Sequence, residues 1–309
     1  MNWDATPTSF EVSPSTVDPT KLGFLKAAGV TRISMGVQSF TKTDLKAMAR
    51  PQRSADVDDA CAWIAEQGFD HFNLDLIYGT AGQQMQDWLY SLQQAVDHGA
   101  NELYLYPLYV RELTGLGRTG RHAGEHRREL YRVGRDFLID AGFVQHSMRY
   151  FQRPEAADDN GADYDCQSDG MVGLGPGARS YTRALHYSSE YAVGQPGVRS
   201  IIDDFNQTQD FTKVTYGTPL NAEEQQRRFV IKSILRVDGL DVDAFAHSFG
   251  HDPFDALPEL RQLDELGLAD RSADGRVILT PLGMEHSDTI GPWLYSPAVT
   301  ARMGAYELI

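Results

Sequence analysis

The sequence predicts an α/β protein: a parallel βα sheet or barrel followed by a small winged-helix-like C-terminal domain. Three observations predict it. Short apolar runs of strand length alternate with stretches of helical period through about residue 150, the pattern of βα units and a parallel sheet or barrel. Residues 151–220 lose that periodicity and are rich in Asp, Asn, Gly, Ser and Tyr. From Asn221 onward, three amphipathic helical stretches are followed by a hairpin-like segment. The expected organisation is therefore a barrel over 1–150, an irregular barrel-associated linker over 151–220 and a helical domain over 221–309.

The elements follow in order. Thr8 to Ser13 is strand-like and stops at Pro14. Asp18-Pro19 then supplies an N-cap and an N1 proline to a helix with Leu22, Leu25 and Ala28 on one face, ended by Gly29. Arg32-Ile33-Ser34-Met35-Gly36-Val37-Gln38 alternates apolar with small or polar residues, as a buried strand does. Ser54 is expected to cap a helix carrying Val57, Ala60, Cys61 and Ile64 at i, i+3, i+4 and i+7, stopped by Gly68. Cys61 is thereby a core residue. Phe72–Gly79 is the third strand, and Met85, Trp88, Leu89, Leu92, Ala95 and Val96 mark the next helix. A fourth strand spans Glu102 to Val110, a helix spans about 125–141, and Phe143–Met148 continues the alternation as a strand. Gly173-Leu174-Gly175-Pro176-Gly177 lacks a surrounding βαβ unit, and Pro176 removes a backbone donor; a tight turn is the reading. Helices are expected over Glu223–Leu235, Val242–Phe249 and Leu257–Leu266, then a hairpin around Ala273-Asp274-Gly275 and a segment Leu282–Ile290.

Composition narrows the function. No apolar run reaches the length of a membrane span, and the first residues lack the basic and apolar regions of a secretory signal, so a cytoplasmic protein is expected. Cys61 and Cys166 form no CxxC-type pair. Residues 1–150 carry 15 Lys and Arg against 18 Asp and Glu, net −3; the remainder carries 13 against 25, net −12. That acidity argues against a nucleic-acid partner, which is held by phosphate neutralisation, and gives the winged domain a packing or partner role. Arg111, Arg118, Arg121, Arg127, Arg128, Arg132 and Arg135 form a local basic cluster. It reads as solvated surface or as a landing site for carboxylates or phosphates.

The chemistry is expected at the strand ends, where parallel α/β folds place ligands. Glu11, Gln38 and Asp75 lie in three consecutive strand-like segments. Each alone has an ordinary reading as a cap or a buried hydrogen-bond partner. Asp75, flanked by Leu74 and Leu76, faces opposite to them, which in a barrel is inward. Together the three suit a ligand with amine and hydroxyl groups, and Arg50 in the following loop suits a carboxylate. His122 and His126 do not match HExxH and read as surface residues.

Phe10-Glu11-Val12-Ser13-Pro14, Ile33-Ser34-Met35-Gly36-Val37-Gln38-Ser39-Phe40 and Asn73-Leu74-Asp75-Leu76-Ile77-Tyr78-Gly79 resemble the oxygen-independent coproporphyrinogen III oxidase-like radical S-adenosylmethionine (SAM) enzymes. The spacings, 27 residues from Glu11 to Gln38 and 37 from Gln38 to Asp75, fit that family. Val172-Gly173-Leu174-Gly175 and the C-terminal domain extend the resemblance. It implies a partial parallel (β/α)6 barrel binding a 4Fe-4S cluster and SAM, with Glu11, Gln38, Arg50 and Asp75 contacting the amino-acid and ribose parts of SAM. Tyr109 and Arg179 fall near further family contacts but differ in type.

The family's CxxxCxxC motif and its Gly-Gly-Thr-Pro stretch are not in this sequence. The matching begins at the third barrel strand, so the chain resembles a family member without its first two strands, and two distant cysteines do not supply three clustered thiolates. Two functions are expected from the resemblance. One is a radical SAM oxidoreductase acting on a tetrapyrrole or related carboxylate-rich small molecule with an electron-donor protein, inactive as this chain. The other is a non-catalytic haem-binding or haem-delivery protein.

Overall fold

The computed structural model describes residues 6–110, 126–156, 167–189, 192 and 195–305. Arg111, Arg118, Arg121, His122 and Cys166 lie outside them. The chain divides into two compact units, Met1–Tyr164 and Asp165–Ile309.

The first unit alternates β1 (Ser9–Val12), α1 (Pro19–Ala27), β2 (Arg32–Gln38), α2 (Lys42–Ala47), α3 (Ser54–Gln67), β3 (His71–Tyr78), α4 (Met85–Asp97), β4 (Glu102–Pro107) and α5 (Arg127–Asp140). Asp18 caps α1 by accepting from the Lys21 N–H at 2.9 Å. Ser54 opens α3 rather than capping it; Arg53 is the N-cap and its side chain makes no capping bond. The short α2 has no apolar stripe long enough to announce it in sequence. Strands β1 to β4 pair in parallel, in chain order.

The fifth parallel strand expected at Phe143–Met148 does not form beside β4. Instead β5 (Val144–Gln145) and β6 (Tyr150–Gln152) make a hairpin, and β6 inserts antiparallel against β4. Ser147 reverses the chain: its Oγ accepts from the N–H groups of Arg149 at 3.3 Å and Tyr150 at 3.2 Å. That local competition by a serine ends the strand early. The described strands form an open sheet, β1-β2-β3-β4-β6-β5, with no closed barrel.

Strand alternation sorts the sheet into two faces. Ile33, Met35, Val37, Leu74, Leu76, Leu103 and Leu105 are fully buried against the helices, with Val57, Ala60, Cys61, Ile64, Trp88 and Leu92 opposite. Trp88 also donates from Nε1 to the Leu130 carbonyl at 2.9 Å. A Cβ at Gly134 would sit 2.8 Å from that Nε1, so glycine is what lets α5 close on α4. Among the described residues, no helix is long and apolar enough to cross a membrane.

The second unit is more ordered than its composition suggests. β7 (Ser180–Tyr181), β8 (Leu185–Ser188) and β9 (Tyr216–Pro219) form a three-stranded antiparallel sheet, and α6 (Gln195–Gln207) lies between the last two in sequence. The glycine-rich stretch is a turn: Gly175 and Gly177 have φ of 117° and 79°. A Cβ at Gly173 would lie 2.5 Å from the Arg179 carbonyl oxygen, so two backbones meet there. Then come α7 (Ala222–Ile234), capped by Asn221, α8 (Val242–Phe249), α9 (Pro253–Ala256) and α10 (Leu260–Glu265). The wing pairs β10 (Ala269–Arg271) with β11 (Val277–Leu279), antiparallel. Three short helices follow, α11 (Pro281–Glu285), α12 (Ser287–Trp293) and α13 (Pro297–Ala305). Val230, Ile234, Leu240, Phe245, Leu260, Leu263 and Val277 form the winged-helix core.

Candidate cofactor-binding site

The face of the first sheet turned away from its helices is largely polar. Register lines Glu11, Ser34, Asn73 and Glu102 across four neighbouring strands, and Gly36, Asp75 and Tyr104 across three. These side chains therefore share one surface while their sequence neighbours pack into the core.

At the carboxyl end, Gln38 closes β2 with φ of 72°, a left-handed conformation that disfavours any residue with a Cβ. Its amide folds back over Gly36. A Cβ on Gly36 would lie 2.6 Å from Gln38 Nε2 and 3.8 Å from Arg50 Nη2, so the missing side chain makes room for both groups. Arg50 arrives there because α2 ends in a tight reversal: Ala49 takes φ of 54°, and the Ala49 and Arg50 N–H groups return to the carbonyls of Lys46 and Leu45. Gln52 then fastens the loop by donating to the Val37 carbonyl at 3.1 Å.

Asp75 lies beside them. Burial pushes its carboxyl up to about 6. The Asn73 hydrogen bond opposes this, the Glu11 charge adds to it, and Arg32 and Arg50 pull it back down. Asn73 donates from Nδ2 to Asp75 Oδ1 at 2.7 Å and to Ser34 Oγ at 2.9 Å. Its own Oδ1 is buried without a partner. Glu11, Gln38, Arg50 and Asp75 are thus brought into one neighbourhood. Tyr109 stands past the end of β4, 51% exposed, with its hydroxyl accepting from Arg149 Nη2 at 3.1 Å. Arg179 belongs to the second unit, where it is exposed after the glycine turn.

Two groups on this face were not singled out from sequence. Near the strand starts, Arg32 donates from Nε to Glu102 Oε2 at 2.6 Å and from Nη1 to Ser9 Oγ at 2.9 Å. His71 Nδ1 is 3.0 Å from Glu102 Oε1, and Tyr150 donates to the same oxygen at 3.1 Å. Burial would raise the Glu102 carboxyl, but the His71 bond and the Arg32 charge and bond hold it below its ordinary value. Charged residues at alternate positions of apolar strands were the available signal. Further along, Tyr106, Tyr104, Tyr150 and His146 stack in series with centroid separations of 6.0, 4.7 and 5.0 Å. Arg149 lies over the rings of Tyr106 and Tyr109 at 5.4 and 5.7 Å. No periodicity in sequence links residues 104–109 with 146–150; the β6 hairpin does.

The donor set suits an amino-acid nucleoside: Arg50 for a carboxylate, the acceptors Glu11, Asp75 and the unpartnered Asn73 Oδ1 for ammonium or hydroxyls, and the Gln38 amide for either. A metal cluster is another matter. Cys61 is buried in α3 with its thiol pushed up to about 12 by burial, and no group of three or more His, Cys, Asp or Glu among the described residues could hold a metal. These residues do not fit a three-thiolate cluster.

Residues 4–95 match the radical SAM superfamily, and residues 220–286 match the HemN C-terminal domain. Coproporphyrinogen III oxidase (HemN) from Escherichia coli, a radical SAM enzyme, shares the fold at a TM-score of 0.74 over 95% of this chain and 70% of that one, with 22% identity. The chain thus carries a radical SAM superfamily segment and a HemN C-terminal domain. Its relatives include heme chaperone HemW proteins. The Synechocystis protein is 31% identical over 56% of this chain and 43% of its own length. The Bacillus subtilis protein is 26% identical over 88% of this chain and 72% of its own length. The match to the Synechocystis protein thus spans less than half of that relative. The radical SAM superfamily carries SAM and a 4Fe-4S cluster in general terms.

Proposed function

We propose that this chain is a haem-binding, haem-delivering member of its family, with a SAM site formed by Glu11, Gln38, Arg50 and Asp75. The observation that carries the haem reading is the stacked surface of Tyr106, Tyr104 and Tyr150 with Arg149 beside it. A flat, largely apolar macrocycle stacks on such rings, and a guanidinium pairs with its propionates. His146, half-buried at the end of the stack, offers an imidazole, the donor that holds haem iron in many proteins. The relatives named as heme chaperones support the same reading. In the SAM site, Arg50 would take the carboxylate while Asp75 and the Gln38 amide would take hydroxyls.

Haem titration followed by the Soret band tests this. Saturable binding is expected, weakened at least tenfold by Tyr104→Ala and by His146→Ala; no saturable binding by the folded protein would overturn it. A second reading, oxidation of a carboxylate-rich tetrapyrrole by a radical SAM mechanism, is favoured by the SAM-type donor set. It needs cluster ligands beyond these residues and an electron-donor protein. Iron, sulfide and 5′-deoxyadenosine assays under anaerobic reducing conditions decide it, and a folded protein yielding none of the three sinks it.

A further inference from the structure

Just past the ends of β2 and β3 lies a buried carboxylate that the site description does not use. Asp44, in the first turn of α2, is 1% exposed. Its Oδ2 accepts from Gln83 Nε2 at 2.8 Å and Ser39 Oγ at 3.2 Å, and its Oδ1 accepts from Thr80 Oγ1 at 3.3 Å. Each of these donors sits in a loop leaving the site. Ser39 follows Gln38 directly, and its Oγ also receives the Thr41 N–H at 3.1 Å. Thr80 and Gln83 lie just after β3, the strand that carries Asp75, and Gln83 Oε1 accepts the Gly79 N–H at 2.7 Å. Ser91 of α4 closes the cluster from the helix layer, 3.2 Å from Ser39 Oγ and accepting the Phe40 N–H at 3.1 Å.

We infer that Asp44 is a positioning residue: one buried carboxylate ties the loop after β2 to the loop after β3, and so holds Gln38 and Asp75 at a fixed spacing. Three features converge on this. The Gln38 backbone is left-handed, a conformation that persists only where surrounding structure over-determines it, and Ser39 is where that constraint is applied. Gln83 Nε2 can only donate and the Ser39 and Thr80 hydroxyls donate as well, so a carboxylate with two acceptor oxygens serves all three at once. The bonds span 36 and 39 residues to the β3 loop against five to Ser39, so the carboxylate joins two βα units rather than capping its own helix, whose N-cap is already Thr41.

This inference rests on the reading that Gln38 and Asp75 contact SAM, and its test separates the two. Asp44→Asn keeps the shape but removes the charge and replaces one acceptor oxygen with a donor; Ser91→Ala removes the brace from the helix side and leaves Asp44 in place. Amide hydrogen exchange and calorimetric SAM binding are measured on both variants and on the unaltered chain. In Asp44→Asn, exchange is expected to rise at least tenfold in residues 38–42 and 79–83 together, with β4 and α5 unchanged, and SAM binding to weaken at least tenfold. Ser91→Ala is expected to loosen residues 38–42 alone. If the unaltered chain binds no SAM, the SAM reading fails while the paired exchange still decides the brace. Exchange that rises in only one loop of Asp44→Asn, or SAM affinity within twofold of the unaltered chain, overturns the inference. Should Asp44→Asn not fold, unchanged exchange and affinity in Ser91→Ala do the same.

Discussion

Asp75→Asn is expected to make the ligand-free chain more stable while weakening its SAM site. Burial raises the Asp75 carboxyl from its ordinary 3.8 to about 6, so the folded state favours the protonated form. The sign follows from linkage. Below 3.8 the group is protonated whether the chain is folded or unfolded, and its burial costs nothing; as pH rises through 3.8 towards about 6, the unfolded chain ionises first and folding loses ground. Above about 6 the loss is complete, and at 1.36 kcal/mol per pH interval between 3.8 and 6 it amounts to about 3 kcal/mol. At pH 5 roughly half of it is present. An asparagine retains an oxygen for the Asn73 donor and carries no charge. Urea unfolding at pH 5 and pH 8 should therefore show the variant gaining on the unaltered chain by about 1–2 kcal/mol more at pH 8. Calorimetry should show SAM affinity reduced at least tenfold. A variant that is destabilised at pH 8, or whose advantage does not grow between the two pH values, would refute the argument that this carboxyl is held at the site against its own solvation.

Other perturbations have equally definite outcomes. Arg32→Met leaves the buried Glu102 without its 2.6 Å partner and should cost about 3–5 kcal/mol by urea unfolding, part of it recovered in Arg32→Met/Glu102→Gln. Because the Glu102 carboxyl is held below its ordinary value, its stabilisation is present at neutral pH and is lost as pH falls through the folded value, opposite in sign to Asp75. Gly134→Ala places a Cβ 2.8 Å from Trp88 Nε1 and should lower stability by about 1–3 kcal/mol. Cys61, with its thiol pushed up to about 12, should resist a thiol reagent at pH 8 in the folded chain and react on unfolding, so Cys61→Ala leaves the native-state reaction unchanged.

Much of the candidate site was legible because its signals are local. Glu11, Gln38 and Asp75 each stand in a strand-like segment, and a carboxylate between Leu74 and Leu76 must face away from them. Asp44 was not legible. Nothing about an aspartate in a six-residue helix shows that Ser39, Thr80 and Gln83 converge on it from loops about 40 residues apart. Arg32, His71 and Glu102 carried a weak signal, charges at alternate strand positions, which acquires meaning only once parallel register aligns them. The tyrosine stack escaped for a different reason: Phe143–Met148 reads as one more parallel strand, and only the reversal at Ser147 places Tyr150 against Tyr104.

The sequence by itself determined the parallel βα order, the helix-facing core with Cys61 inside it, the winged second half and the family resemblance. Those depend on hydrophobic period, caps and short motifs, which act within a few residues of one another. Tertiary structure decided the rest: the antiparallel hairpin that ends the sheet, the three-stranded sheet hidden in residues 180–219, and the convergence of Gln38, Arg50 and Asp75 over the space left at Gly36. It also decided how each buried charge is satisfied. Solvation and pairing are properties of a neighbourhood assembled from distant segments, and no local pattern encodes which of them will meet.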